Sequence, residues 1–223
     1  MSLLSPQDQV HLRLEFSEMT RPVRVLFFTQ TIGCETCVPT REILDELPPL
    51  SDRITIEEVN IVLERERAEQ YGIDRVPAVV LLGQDESGAE VDSRIRFLGM
   101  PAGYEFVSLV RAIALVGGGA SELSEATRRR VAALEAPITI HVFSTPTCPH
   151  CPRAISLAHE MAWASPQITA FAVEVTEYPD LARRYRVTGV PKTVVNDRIE
   201  ILGALPQEEF VEQALSPQLT IDN

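Results

Sequence analysis

Cysteine is scarce in this 223-residue chain: there are four, all in two close pairs, so no stray thiol is left over. Positive charge is scarce too. Lys and Arg total 20 against 32 Asp and Glu, for a net charge of −12 and a pI near 4.8. That balance argues against a nucleic-acid or anionic-membrane partner and otherwise reports solubility. No apolar run approaches the roughly 18 residues of a membrane span. Met1 to Leu14 has neither a basic segment nor an apolar core of the kind a secretory signal needs. A cytosolic location is therefore expected, and there paired cysteines point to catalytic or metal-binding thiols, not to structural staples.

What is present is enough for two compact units. Apolar residues make up 45% of the chain, which suits a globular core and excludes a disordered chain. The length accommodates two units of about 110 residues. A repeat marks them. Cys34-Glu35-Thr36-Cys37 precedes Val76-Pro77, and Cys148-Pro149-His150-Cys151 precedes Val190-Pro191, with 43 residues from first cysteine to proline in both copies. Gly117-Gly118-Gly119 is the strongest helix stop and linker signal, so the units are expected at residues 1–119 and 120–223.

Each unit opens on a helix, with Ser5-Pro6 and Ser124 as start signals, the first running to about Met19. A β-branched strand follows, Val23 to Thr29 or Ile138 to Phe143, and runs into the CxxC. Helical spacing resumes after it, as in Ile43, Leu44 and Leu47 or Ile155, Ala158 and Ala162. A second strand, a short charged helix, a third strand after Val-Pro, a fourth closing on Gly99 or Gly203, and a final helix complete the pattern. The expected fold is α/β with a mixed sheet in each unit. The repeat offset drops from 114 at the cysteines to 104 at these glycines, so the first copy holds about ten extra residues. Gln84 to Asp92, acidic and containing glycine, is read as a longer hairpin turn.

A cysteine between a strand end and a helix start has its sulfur near unpaired backbone N–H groups and the positive end of the helix dipole. Both favour thiolate over thiol. Cys34 and Cys148 are thus expected to attack, and Cys37 and Cys151, one turn on, to resolve the mixed disulfide. The two sites are not expected to be equivalent. His150, if protonated, adds positive charge near Cys148, whereas Glu35 adds negative charge beside Cys34. On that ground Cys148 should have the lower pKa and the second site should be the main peptide-facing one. Two CxxC pairs could instead hold a four-thiolate zinc, although 110 residues lie between Cys37 and Cys148 and zinc modules keep their pairs closer. A redox-inert scaffold would be expected to lose a cysteine, and neither repeat has.

This order of elements, with CxxC after a unit's first strand and a proline opening a later one, resembles the thioredoxin superfamily. Two such units in one chain resemble the protein disulfide oxidoreductases built of two glutaredoxin-like domains, over about residues 20 to 215. The resemblance implies two tandem thioredoxin-like domains and cis peptide bonds at Val76-Pro77 and Val190-Pro191. It also implies that the free backbone of Val76 and Val190 pairs with extended substrate. The activity implied is reduction, oxidation or isomerisation of protein disulfides, with no metal or organic cofactor. The implied electron source is a flavoprotein of the thioredoxin reductase type; a peroxiredoxin is the alternative partner, for which the chain would be a dedicated carrier. The N-terminal tandem unit of the alkyl hydroperoxide reductase flavoprotein shares the double fold, but that family usually keeps only one CxxC. Pro149-His150 resembles the dipeptide of oxidising periplasmic enzymes of the DsbA type, whose attacking thiol is strongly acidic.

Departures from thioredoxin are equally specific. Gly33 and Thr147 stand where it has tryptophan, and the only tryptophan is Trp163. Phe28 and Val142 stand where it has a buried acid, so the usual proton acceptor for the resolving cysteine is absent. His141, His159, Phe27, Phe28, Tyr71 and Tyr185 are read as packing residues, and Arg128 to Arg130 as a solvated helix face.

Overall fold

Alternation along the strands builds two apolar layers. The computed structural model describes residues 3–216, so residues 1–2 and 217–223 of the two expected units lie outside it. The first repeat runs α1 (Pro6–Ser17), β1 (Val23–Thr29), α2 (Cys37–Asp45), β2 (Ile54–Asn60), α3 (Arg65–Gln70), β3 (Ala78–Gln84), β4 (Glu90–Leu98) and α4 (Tyr104–Val116). The second runs α5 (Glu125–Ala132), β5 (Ile138–Ser144), α6 (Cys151–Ala164), β6 (Ile168–Glu174), α7 (Pro179–Arg184), β7 (Lys192–Val195), β8 (Ile199–Leu202) and α8 (Gln207–Leu215). Both opening helices are capped as their sequences suggest: Ser5 accepts from Asp8 N, and Ser124 from Thr127 N.

Val23, Val25 and Phe27 of β1 point to one face of the sheet, beneath α1, α2 and α4. Leu26 and Phe28 point to the other, with Ala68 of α3 and Ile73. The second repeat does the same with Ile140 and Val142 against Phe143, the far face being closed by Tyr178, Leu181 and Tyr185. Fully burying a side chain of this size stabilises the fold by about 1.5–3 kcal/mol.

The two sheets are one. Strand order is β2-β1-β3-β4-β6-β5-β7-β8, and the seam is a parallel pairing of Ile95–Leu98 with Ala170–Val173. The ten extra residues of the first copy differ from their sequence reading. They lengthen the hairpin strands to 7 and 9 residues, against 4 and 4 in the second copy, and leave only Asp85 to Ala89 as the turn. The longer β4 supplies the edge that β6 joins. Gln84 and Glu90 still pair, because Asp85 closes the turn locally through Ser87 and Ala89.

Two glycines let the repeats approach across this seam. A Cβ on Gly99 (φ +97°) would lie 2.6 Å from Cβ of Glu174, and one on Gly103 (φ +56°) would overlap the Pro146 carbonyl. Gly88 (φ +82°), at the hairpin tip, has the same kind of backbone with open space around it. Gly88→Ala should therefore cost about 1 kcal/mol, from backbone strain alone. Gly103→Ala should cost ~2–4 kcal/mol, because the Pro146 carbonyl must also move. Urea unfolding of both variants checks this through a lower midpoint at unchanged slope.

Candidate functional site

Each disulfide bridges the last turn before a helix to that helix's first residue. Cys34–Cys37 spans 5.4 Å between Cα atoms and Cys148–Cys151 spans 5.5 Å. β1 and β5 deliver the chain to these turns, and α2 and α6 start at the second cysteine. In the second site the Cys151 N–H donates to the Cys148 sulfur at 3.1 Å, the helix-start donor that favours negative charge there. Val76-Pro77 and Val190-Pro191 are both cis. Pro77 and Pro191 are buried, while Val76 and Val190 are half-buried against the core. Glu35, Pro149 and His150 are exposed, and His150, which immediately precedes α6, makes no side-chain capping bond.

Exposure does not follow the expectation that the second site faces peptides. Cys148 is 7% exposed and Cys151 fully buried, whereas Cys34 is half-buried. A cavity of about 300 Å³ opens beside the first disulfide, lined among others by Cys34, Cys37, Val38, Glu42, Glu58 and Asn60. Four apolar side chains close to it in sequence are well exposed: Ile32 before the CxxC, Val38 in the first turn of α2, and Val62 and Leu63 after β2.

The repeats reach into each other's sites. In the first, Thr36, inside the CxxC, donates its hydroxyl to Glu177, and the Tyr178 hydroxyl donates to the Pro77 carbonyl at 2.9 Å. Glu177 also accepts from Met100 N at 2.6 Å, and its own N–H donates to Glu174 at 2.9 Å. In the second, Tyr104 N donates to the Pro146 carbonyl at 2.9 Å, and Ser144 donates its hydroxyl to Glu105. Glu105 and Glu174 are each 3% exposed. Burial pushes the Glu105 carboxyl up to about 8, helped by the charges of Glu174 and Glu177, while the Ser144 bond opposes the shift.

These carboxylates and Tyr178 are what the motif reading missed. In the sequence Glu105-Phe106-Val107 matches Glu209-Phe210-Val211 of the second repeat, which marks the repeat and nothing more. In the structure Glu209 is exposed, because nothing follows the second repeat as the second follows the first among the described residues. The strand positions Phe28 and Val142 are both buried in the core, and the buried carboxyl of Glu105 comes from α4 instead. The two strand and helix histidines pack as expected. His141 stacks 4.9 Å from Phe171, and His159 sits edge-on 4.9 Å from Phe97. Burial pushes them down to about 4 and about 3, so both are neutral at pH 7. Arg128, Arg129 and Arg130 are exposed. The cysteines are joined as two separate pairs, and among the described residues no group of three or more His, Cys, Asp or Glu is arranged to hold a metal ion. Among the same residues no helix is long and apolar enough to cross a membrane.

Comparison with known proteins agrees with this architecture. Residues 138–216 match the family described as "Thioredoxin domain". The chain is 26% identical over 214 residues to an alkyl hydroperoxide reductase protein of Xanthomonas campestris pv. phaseoli, covering 94% of this chain but only 36% of that protein. A protein disulfide oxidoreductase from Aeropyrum pernix superposes with a TM-score of 0.85 at 29% identity, over 96% of this chain and 93% of that one. The thioredoxin of Methanocaldococcus jannaschii is 36% identical over 76 residues, which cover 34% of this chain and 89% of that thioredoxin. With two CxxC disulfides set in one continuous sheet of repeated units, the chain belongs to the thioredoxin family, as two tandem thioredoxin-like domains.

Proposed function

We propose that this protein transfers electrons between protein dithiols and disulfides through both CxxC sites. The observation that carries the reading is the pair of disulfides, each between a strand end and a helix start in a thioredoxin fold. The chain is a thiol–disulfide oxidoreductase. In the reduced enzyme the Cys34 or Cys148 thiolate attacks a substrate disulfide, forming a mixed disulfide and expelling one substrate thiolate. Cys37 or Cys151 then attacks the enzyme sulfur of that bond, releasing the second substrate thiolate and closing the CxxC disulfide. Val76-Pro77 and Val190-Pro191 border the sulfurs and hold extended substrate through backbone pairing. Glu35, Pro149 and His150, the exposed intervening residues, tune the two thiols.

The units meet at about Gly119. Their electrons come from a flavoprotein reductase of the thioredoxin reductase type, and a peroxiredoxin is among the proteins that could take them. The similarity to alkyl hydroperoxide reductase supports redox transfer within a reductase and peroxiredoxin system. A cytosolic, reducing setting suits a dithiol that must be regenerated. Glu105 serves the second site as a proton store: hydrogen-bonded to Ser144, four residues before Cys148, it is protonated at neutral pH.

Reduction of insulin disulfides by dithiothreitol tests the assignment with Cys34→Ser, Cys148→Ser and the double variant. Each single change should lower turnover, and the double variant should fall to the rate of dithiothreitol alone. Full activity in the double variant would end the reading.

Glu105 makes a separate prediction. Its folded pKa is raised above the unfolded value of about 4.3. The folded state therefore holds more protons between about pH 4.5 and 8, and stability falls as pH rises through that window. Glu105→Gln removes this slope. Relative to wild type the variant should gain stability from pH 5 to pH 8, by on the order of 2–4 kcal/mol, measured by urea unfolding at each pH.

A further inference from the structure

The repeat shows what the surface around the first disulfide lacks. Ile32, Val38, Val62 and Leu63 correspond, at the offset of 114, to Pro146, Pro152, Thr176 and Glu177. In the second repeat two of these positions make the contact with the first: Tyr104 N bonds to Pro146 O, and Glu177 holds Thr36 and Met100. Pro152 is buried, and Thr176 is exposed and bonds to Glu174 of its own repeat. In the first repeat no unit precedes them among the described residues, and the side chains are 85%, 68%, 69% and 82% exposed. Asn60, which lines the cavity beside the disulfide, also accepts from Val62 N and Leu63 N, so its side chain ties that loop to the cavity rim.

A second copy is a poor occupant. To dock as the second repeat docks on the first, it would have to pair with edge strand β2. That strand carries Glu57 and Glu58, and their Arg24, Arg67 and Arg41 partners crowd the edge. Charge on an edge strand opposes strand addition. The charge around the cavity also selects. Arg41 is already held by Asp45 and Glu58, while Glu35 and Glu42 are exposed with no ion pair among the described residues. Around a cavity lined by Thr29, Gln30, Thr31 and Asn60 as well as Val38, this surface thus carries exposed apolar side chains and carboxylates without an ion pair among the described residues.

We propose that the first disulfide is the docking site for an extended polypeptide segment whose cysteine is flanked by apolar and Lys or Arg side chains. The inference rests on the oxidoreductase reading and adds which site takes the polypeptide and which sequences it prefers. The apolar flank covers Val38, Val62 and Leu63, and the cation meets Glu35 and Glu42.

The test uses the full chain with one site left, by Cys148→Ser/Cys151→Ser or by Cys34→Ser/Cys37→Ser. Two peptides are offered, each with one cysteine carried as a mixed disulfide with nitrothiobenzoate, one flanked by Leu and Lys, the other by Glu and Ser. The enzyme thiolate attacks the peptide sulfur and nitrothiobenzoate thiolate leaves, read by absorbance; the resolving cysteine then releases the peptide thiol and closes the disulfide. At the first site the Leu/Lys peptide should react about tenfold faster than the acidic one. The second site should show a ratio near one. Val38→Ser with Leu63→Ser should bring the first-site ratio down about threefold or more. Rates within twofold of each other at the first site, or the same preference at both sites, would overturn the proposal. So would a dimer in sedimentation that dissociates on Leu63→Glu, since it gives the rim to a second copy. Reaction of neither site with hydroxyethyl disulfide would instead remove the oxidoreductase reading beneath it.

Discussion

The parallel pairing of β4 with β6 is the contact on which both sites depend. Four register pairs, Ile95 to Leu98 against Ala170 to Val173, convert two sheets into one of eight strands. Once those strands lie side by side, the chain leaving β6 must pass the first CxxC, and the chain leaving β4 must pass the second. Glu177 and Tyr178 then reach Thr36 and Pro77, and Tyr104 and Glu105 reach Pro146 and Ser144. The close approach leaves no room for a Cβ at Gly99, where the Glu174 side chain occupies the space. The equivalent Gly203 has nothing within 4 Å, so the same local turn carries a packing constraint in one copy only.

What could be read from the sequence was whatever depends on near neighbours. Ser5 and Ser124 cap their helices, β1 has its expected ends, and the CxxC and Val-Pro positions fall between the expected elements. Each follows from side-chain chemistry within a few residues. The hairpin went differently because Gln84 to Asp92 is polar and contains glycine, which reads as turn, while part of it is extended as strand at an exposed sheet end. Polarity there reports solvent, not backbone shape. The carboxylates were out of reach for another reason. Nothing local distinguishes Glu105 from Glu209; one is buried and one exposed because a second unit follows only the first among the described residues.

That difference revises the electrostatic comparison of the two disulfides. Read within the motifs, His150 and Glu35 decide which thiol is more acidic. Yet both are exposed, where solvent and salt screen a charge strongly. Glu105 and Glu174 are buried, and a charge in low dielectric acts more strongly than the same charge in water. Glu105 shows the consequence, being driven to about 8 in the neighbourhood of two other carboxylates. The Cys151 N–H on the Cys148 sulfur favours thiolate there, and Glu105, protonated at neutral pH, sets negative charge against it only as pH rises past about 8. Thiol acidity at that site is therefore a balance set across the seam.

One fold used twice thus yields two different surfaces. The second repeat turns the face around its disulfide to the first, so its cysteines are buried and its loops carry Pro146 and Glu177, which bond across the seam. The first repeat has the same face open, and its matching positions are Ile32 and Leu63. Exposed apolar side chains have a solubility cost, and those of the first repeat stand together beside a reactive sulfur instead of scattered over the surface. The charges on β2 keep the neighbouring sheet edge from recruiting another sheet. Exposed apolar side chains next to a guarded edge suit partners that arrive as extended chain and leave once the disulfide has exchanged.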